Sequence, residues 1–211
     1  MPYTFIAKVL IAISLTLLTG CSQSLNSSIE YYQFEQAIKP IQRNSIDTST
    51  QLRINTVTLR GALNNRGIAM KIDNNQINAA NYHLWSEAPD QMLTASSHQT
   101  LFTALDDWMV VKGLPVITDK DQQSYYELEY ELHHFYGDKQ GNADIAGLWR
   151  LYYTSFEQGR SLQAVHYFSE LTPLVENDYE GLVASLEKTW HTINLQVAAQ
   201  LHTIKRSSKI H

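Results

Sequence analysis

Polar and apolar positions alternate most regularly from Ser124 to Phe135. Tyr126, Leu128, Tyr130 and Leu132 fall on one side, and Glu127, Glu129, Glu131 and His133 on the other. A period of two marks a half-buried strand. Asp138 to Gly141 reads as a turn, and Asp144 to Phe156 as a second long strand with Trp149, Leu151 and Tyr153 on its apolar face. Gln158-Gly159-Arg160 turns the chain again before a third strand at Leu162 to Phe168. Three strands with short turns predict an antiparallel meander.

The period changes near Asp178. Leu182, Leu186, Trp190, Ile193, Val197, Leu201 and Ile204 recur at steps of three and four, which is the apolar stripe of a long helix. Asn177 is the expected N-cap, with Glu180 three residues on resembling a capping box. Lys205, Arg206 and Lys209 suit the carbonyl end of the helix dipole.

The stretch before the meander is less regular. Ile29 to Glu35 is aromatic-rich and reads as a first strand, and Gln36 to Thr50 as a loop around Pro40. Gln51 to Leu59 predicts a strand whose phase changes after Ile54, consistent with a bulge. Gly61 to Gly67 is a turn. Strands at Ile68 to Ile72 and Gln76 to Ala79 flank the hairpin turn Asp73-Asn74-Asn75. A first helix is expected to start at Ser86 as N-cap, with Glu87 and Pro89 in its first turn and Leu101, Leu105 and Trp108 facing inward. Its middle, Ala95 to Gln99, forms helix weakly, and Gly113 and Pro115 close the region. Together these elements predict an α+β fold: a two-layer sandwich with a mainly antiparallel sheet and two helices packed on one face.

The amino terminus stands apart. Lys8 is followed by an uncharged run from Val9 to Thr19, well short of the ~20 apolar residues a membrane-spanning helix needs. It ends in Leu18-Thr19-Gly20-Cys21, which carries the only cysteine of the chain. This looks like a bacterial lipobox: cleavage between Gly20 and Cys21, with the Cys21 thiol as the lipid attachment site. Residues 1–20 are thus expected as signal peptide, 21–28 as lipidated tether, 29–205 as one domain and 206–211 as a frayed end. Ser22 follows the cysteine instead of the aspartate that commonly retains lipoproteins at the inner membrane. By resemblance to sorted lipoproteins, the protein is expected at the outer membrane, lipid-anchored and facing the periplasm. The tether reaches only about 25 Å at ~3.3 Å per extended residue.

Composition narrows the function classes. A net charge of -5 without basic clusters argues against nucleic acid as a partner. A single cysteine, once acylated, leaves no disulfide, no CxxC zinc site and no thiol catalysis. No nucleophile elbow, Walker loop or His-Glu-x-x-His occurs, so no enzyme is expected, and no catalytic residue, metal or cofactor is assigned. The ladder Glu127, Glu129, Glu131 reads as a solvent or partner-docking face before a cation site, because alternate strand residues stand nearly ~7 Å apart. His134 is placed on the face of Leu132 as a satisfied interior histidine, and Asp106-Asp107 as exposed charge. The aromatics read as core before lipid groove.

Several segments resemble a known family. After the lipobox come Tyr31-Tyr32, then Leu63 in its Asn-rich turn, the Ile68-to-Met70 strand, and Asn81-Tyr82-His83-Leu84-Trp85-Ser86-Glu87. Tyr126-Glu127-Leu128, Leu148-Trp149-Arg150-Leu151 and Asp178-Tyr179-Glu180-Gly181-Leu182-Val183 follow in the same order. Between about Ile29 and Leu201 the chain is similar to the ABC-type transport auxiliary lipoproteins, the PqiC-like group. Gln33-Phe34-Glu35 and Asn64-Asn65 depart from that pattern. The resemblance implies a non-catalytic auxiliary component of an ABC/MCE-type intermembrane lipid transport system. Implied partners are MCE-domain or ABC-type transporter subunits and, through acylated Cys21, the outer-membrane bilayer. A phospholipid and a second copy of the chain are further candidate partners. Tyr82, Trp85 and Glu87 match the family motif, as packing residues or partner contacts. The alternative reading is a lipoprotein that itself carries a lipid or other apolar ligand in a cavity.

Overall fold

The computed structural model describes residues 28–35, 50–113 and 124–208. The expected signal, the cleavage pair Gly20 and Cys21, nearly all of the tether, and most of the Gln36–Thr50 loop lie outside the described residues.

The fold is α+β, with nine strands in one mixed sheet and two α-helices among the described residues. The long meander forms as its alternation dictates: β7 (Ser124–Gly137), β8 (Asn142–Ser155) and β9 (Gly159–Pro173) pair antiparallel over nearly their whole lengths. Gly141 closes the first turn at φ +79° and Gly159 the second at φ +70°, a region that favours glycine because it lacks a Cβ. In the first turn Asp138 Oδ1 also accepts from the amides of Gln140 at 2.9 Å and Asn142 at 2.8 Å.

The other edge of β7 is built from short pieces. The expected strand over Gln51 to Leu59 is two strands, β2 (Gln51–Ile54) and β3 (Thr58–Leu59), each parallel to β7. The phase change after Ile54 is thus a break between strands. Strand β2 is buried throughout, and its polar residues satisfy one another: Arg53 Nε donates to Gln51 Oε1 at 3.2 Å while its guanidinium lies 4.1 Å from the Tyr125 ring centre. Strands β4 (Gly67–Asp73) and β5 (Gln76–Trp85) form the expected antiparallel hairpin, and β1 (Glu30–Tyr32) runs parallel to the end of β5.

Helix α1 (Pro89–Ala104) begins later than the sequence suggests. Ala88 is its N-cap, Pro89 fills the first turn, and Asp90 replaces Glu87 as the first-turn acid. The helix runs unbroken through Ala95–Gln99, where tertiary burial overrides weak propensity; the buried Thr94 and Ser97 hydroxyls are satisfied by the carbonyls of Asp90 at 2.6 Å and Leu93 at 2.9 Å. It stops at Ala104, so Leu105 and Trp108 are buried beyond its end. The chain then enters β6 (Met109–Lys112), parallel to β2, a strand the pattern does not reveal.

Helix α2 (Tyr179–Ser208) presents the expected stripe, buried from Leu182 to Leu201. Its N-cap is Asp178, not Asn177: Asp178 Oδ1 accepts from the Gly181 amide at 2.7 Å. The two helices touch directly, since Trp190 Nε1 donates to Leu93 O at 3.1 Å and Thr100 Oγ1 lies 3.1 Å from His191 Nδ1. All four tryptophans, Trp85, Trp108, Trp149 and Trp190, belong to the core. No helix among the described residues is long and apolar enough to cross a membrane.

Candidate functional site

The end of β5 carries the motif residues Tyr82, Trp85 and Glu87, and strand alternation separates them. Trp85 points toward the helices and is 2% exposed. It meets Phe34 edge-on at 6.0 Å and stacks on Phe135 at 5.6 Å between ring centres. Its backbone is held from both sides: Trp85 N donates to Arg66 O at 2.7 Å, and the Arg66 guanidinium returns a bond to Trp85 O at 3.2 Å. Trp85 is therefore a packing residue. Tyr82 points the other way and is 48% exposed, and Glu87 lies exposed just beyond the strand.

Beside this motif, β1 pairs in register, Tyr31 with Leu84 and Tyr32 with Trp85. Paired residues share a sheet face, so Tyr31 accompanies Tyr82 outward and Tyr32 accompanies His83 toward the helices. His83 stacks on Tyr179 at 3.8 Å, and Tyr32 Oη donates to Glu30 Oε2 at 2.6 Å. Partial burial first, then the Glu30 carboxylate, push the Tyr32 phenol up to about 12. The amino-terminal strand is thereby tied to the first turn of α2. The sequence motifs Tyr31-Tyr32, Tyr82-to-Glu87 and Asp178-to-Val183 meet at one end of the fold.

The acidic ladder lies on the outer face of β7, away from the helices, and is matched by arginines. Arg160 Nε donates to Glu127 Oε2 and its Nη2 to Glu129 Oε1, both at 2.5 Å. Arg150 donates to Glu131 Oε2 at 2.9 Å, and Arg60 pairs with the other Glu131 oxygen. The Arg150 hydrogen bond, with Arg60 adding to it, holds the Glu131 carboxyl below the usual carboxylate range. The ladder is a network of ion pairs in which Glu127 and Glu129 share Arg160, and Glu131 is held by both Arg150 and Arg60. Its arginines come from β9, β8 and the β3 end, which short-range pattern reading could not bring together.

One expected placement is overturned. A bulge in β7 between Leu132 and His134 shifts the alternation by one residue. Phe135 takes the inward place, and His134 turns to the outer face, 3.1 Å from Asp144 Oδ2 and partly exposed. His134 is a surface partner of a carboxylate, not an interior histidine.

At the far end of the helix pair, Asp106, Asp107 and His202 bring ligand-type atoms within 4.8 Å of one another. Asp107 Oδ2 is bound by Lys205 Nζ at 2.9 Å, and the same ammonium donates to Asp107 O at 2.5 Å. Burial pushes the Asp107 carboxyl up, but the hydrogen bond and charge of Lys205 outweigh it, leaving the group below its ordinary value. The ammonium thus supplies the charge a metal would bring. Asp107 and Lys205 are distant in sequence, and only the packing of α2 against the end of α1 joins them.

Exposed apolar side chains gather in two places on the outer face of the sheet. Leu162, Val165, Tyr167 and Leu171 lie along β9, which among the described residues is an edge strand paired only with β8. Ile29, Tyr31 and Tyr82 lie along the opposite edge, at β1 and β5.

This architecture occurs in solved structures. The crystal structure of an uncharacterized protein superposes with a TM-score of 0.66 at 22% identity, covering 82% of this chain and 99% of its own. Protein XCC0632 from Xanthomonas campestris gives 0.64 at 12% identity, covering 86% of this chain and 100% of its own. These likenesses establish a shared fold. No curated protein sequence matches the chain significantly. The family model of the ABC-type transport auxiliary lipoprotein component matches residues 32–198, and the chain belongs to that family. It is accordingly a lipoprotein of a transport auxiliary kind, associated with ABC-type transport components.

Proposed function

We propose that this protein is an outer-membrane-anchored periplasmic lipoprotein that serves an ABC/MCE-type intermembrane lipid transport system as a non-catalytic docking component. The observation that carries this reading is the family match over residues 32–198, nearly the whole folded part. The lipid on Cys21 is the anchor, since about two acyl signals hold a protein stably on a bilayer. Ser22 in place of aspartate supports outer-membrane sorting.

Docking is favoured over carrying lipid inside the domain by the way its interior is filled. Trp108, Trp190, Tyr130, Leu128 and Leu186 occupy the space between helices and sheet at 1% exposure or less. The β9 edge, which no second strand among the described residues covers, offers with its row of apolar side chains a protein surface for strand or side-chain contact.

In-cell crosslinking of the native lipoprotein, followed by membrane extraction, pulldown and mass spectrometry, tests the reading. The expected result is recovery of an MCE-domain protein or transporter subunit. Recovery of the lipoprotein alone from the outer membrane overturns the docking role.

A further inference from the structure

The exposed residues at the β1 edge lie where the chain arrives from its anchor. Ser28 is only seven residue steps beyond Cys21, a reach of at most about 25 Å. Whatever surface borders Ser28 must therefore stay near the bilayer that holds the acyl chains. That surface is Ile29, 51% exposed, Tyr31, 58% exposed, and Tyr82 from the neighbouring strand. Parallel register puts Tyr31 beside Leu84, one pleat from Tyr82, so both rings stand on the same face. The Arg66 guanidinium sits 5.7 Å from the centre of the Tyr31 ring.

Such a group is ill suited to open water and well suited to a headgroup layer. Tyrosine places an apolar ring against lipid and its hydroxyl in water, which is why it concentrates at membrane interfaces. An arginine beside such rings adds a cation for lipid phosphates. Trp85, one pleat further along β5, points inward and leaves the patch framed by a rigid core.

We propose that Ile29, Tyr31 and Tyr82, with Arg66, form a membrane-contact face that seats the domain on the phospholipid bilayer carrying its anchor. The proposal rests on Cys21 being the lipidated residue. The lipid fixes the protein to the membrane; this face fixes its orientation, with the helix layer directed away from the lipid.

Full-length lipidated protein purified from bacterial membranes provides the test. Cys21 is the only cysteine and is acylated, so Tyr31→Cys and Tyr82→Cys each create a single reactive thiol at an exposed position. Leu195→Cys, on the exposed side of α2, is the control. Each variant is labelled with a small fluorophore and placed in phosphatidylethanolamine–phosphatidylglycerol vesicles containing doxyl-labelled lipid. Quenching at positions 31 and 82 several-fold above that at 195 is expected. Equal quenching at all three positions in protein that floats with the vesicles overturns the contact face and leaves the anchor intact. Failure of the protein to float overturns the anchor reading and this proposal with it.

Discussion

Tyr130 Oη donates a 2.8 Å hydrogen bond to Asn194 Oδ1 at the centre of the helix–sheet interface, where both residues are buried. Asn194 Nδ2 in turn donates to Trp190 O at 2.8 Å, and the Tyr130 ring meets Trp190 edge-on at 5.0 Å. A polar pair in an apolar layer is satisfied in one register only, so it fixes where α2 lies along β7.

Removing one partner leaves a buried oxygen of the other, Asn194 Oδ1 or Tyr130 Oη, without this bond. Tyr130→Phe and Asn194→Ala are each expected to lower unfolding free energy by about 1–3 kcal/mol. The double variant should cost less than the sum of the singles. A double-mutant cycle by denaturant unfolding measures that coupling.

The two aromatic residues of the β5 motif should differ sharply. Trp85→Ala opens a cavity against Phe34 and Phe135 and is expected to cost about 3–5 kcal/mol. Tyr82→Ala, on the outer face, should stay within about 0.5 kcal/mol of the parent. Thermal unfolding of the two variants checks the contrast.

Glu131 links stability to acid. Its carboxyl is held below the usual range by Arg150 and then Arg60, so the folded chain favours the ionised form. The stabilisation is complete above the ordinary glutamate value and is lost as pH falls through the depressed folded value. Unfolding free energy should therefore drop more steeply between about pH 5 and pH 3 in the parent than in Glu131→Gln. Denaturant titrations at a series of pH values read the difference.

Cys21→Ser should abolish metabolic labelling with radioactive fatty acid and release the protein from membranes without detergent. Retained label in that variant would place the acyl chains elsewhere.

Much of the fold was legible in local pattern. The β7–β9 meander and the stripe of α2 announce themselves because period two and period 3.6 report which side of an element meets the core. The order of family segments from Tyr31 to Val183 is likewise local. Apart from the exact starts of the two helices, what escaped has one physical cause, interactions between residues far apart in sequence. Strand β6 and the parallel pairings of β1, β2 and β3 depend on neighbours supplied by distant chain, and buried Gln51 and Arg53 look like surface residues until their partners are seen. The bulge that turns His134 outward is set by pairing with β8, not by β7 alone. The arginines that neutralise the Glu127–Glu131 ladder and the lysine that binds Asp107 arrive from other elements. Sequence alone determined the class and the main elements, because those follow from short-range periodicity and motif. Only the tertiary structure decided that Trp85 is core while Tyr82 and Tyr31 share an outer face, because a side chain's surroundings are set by the strand packed beside it.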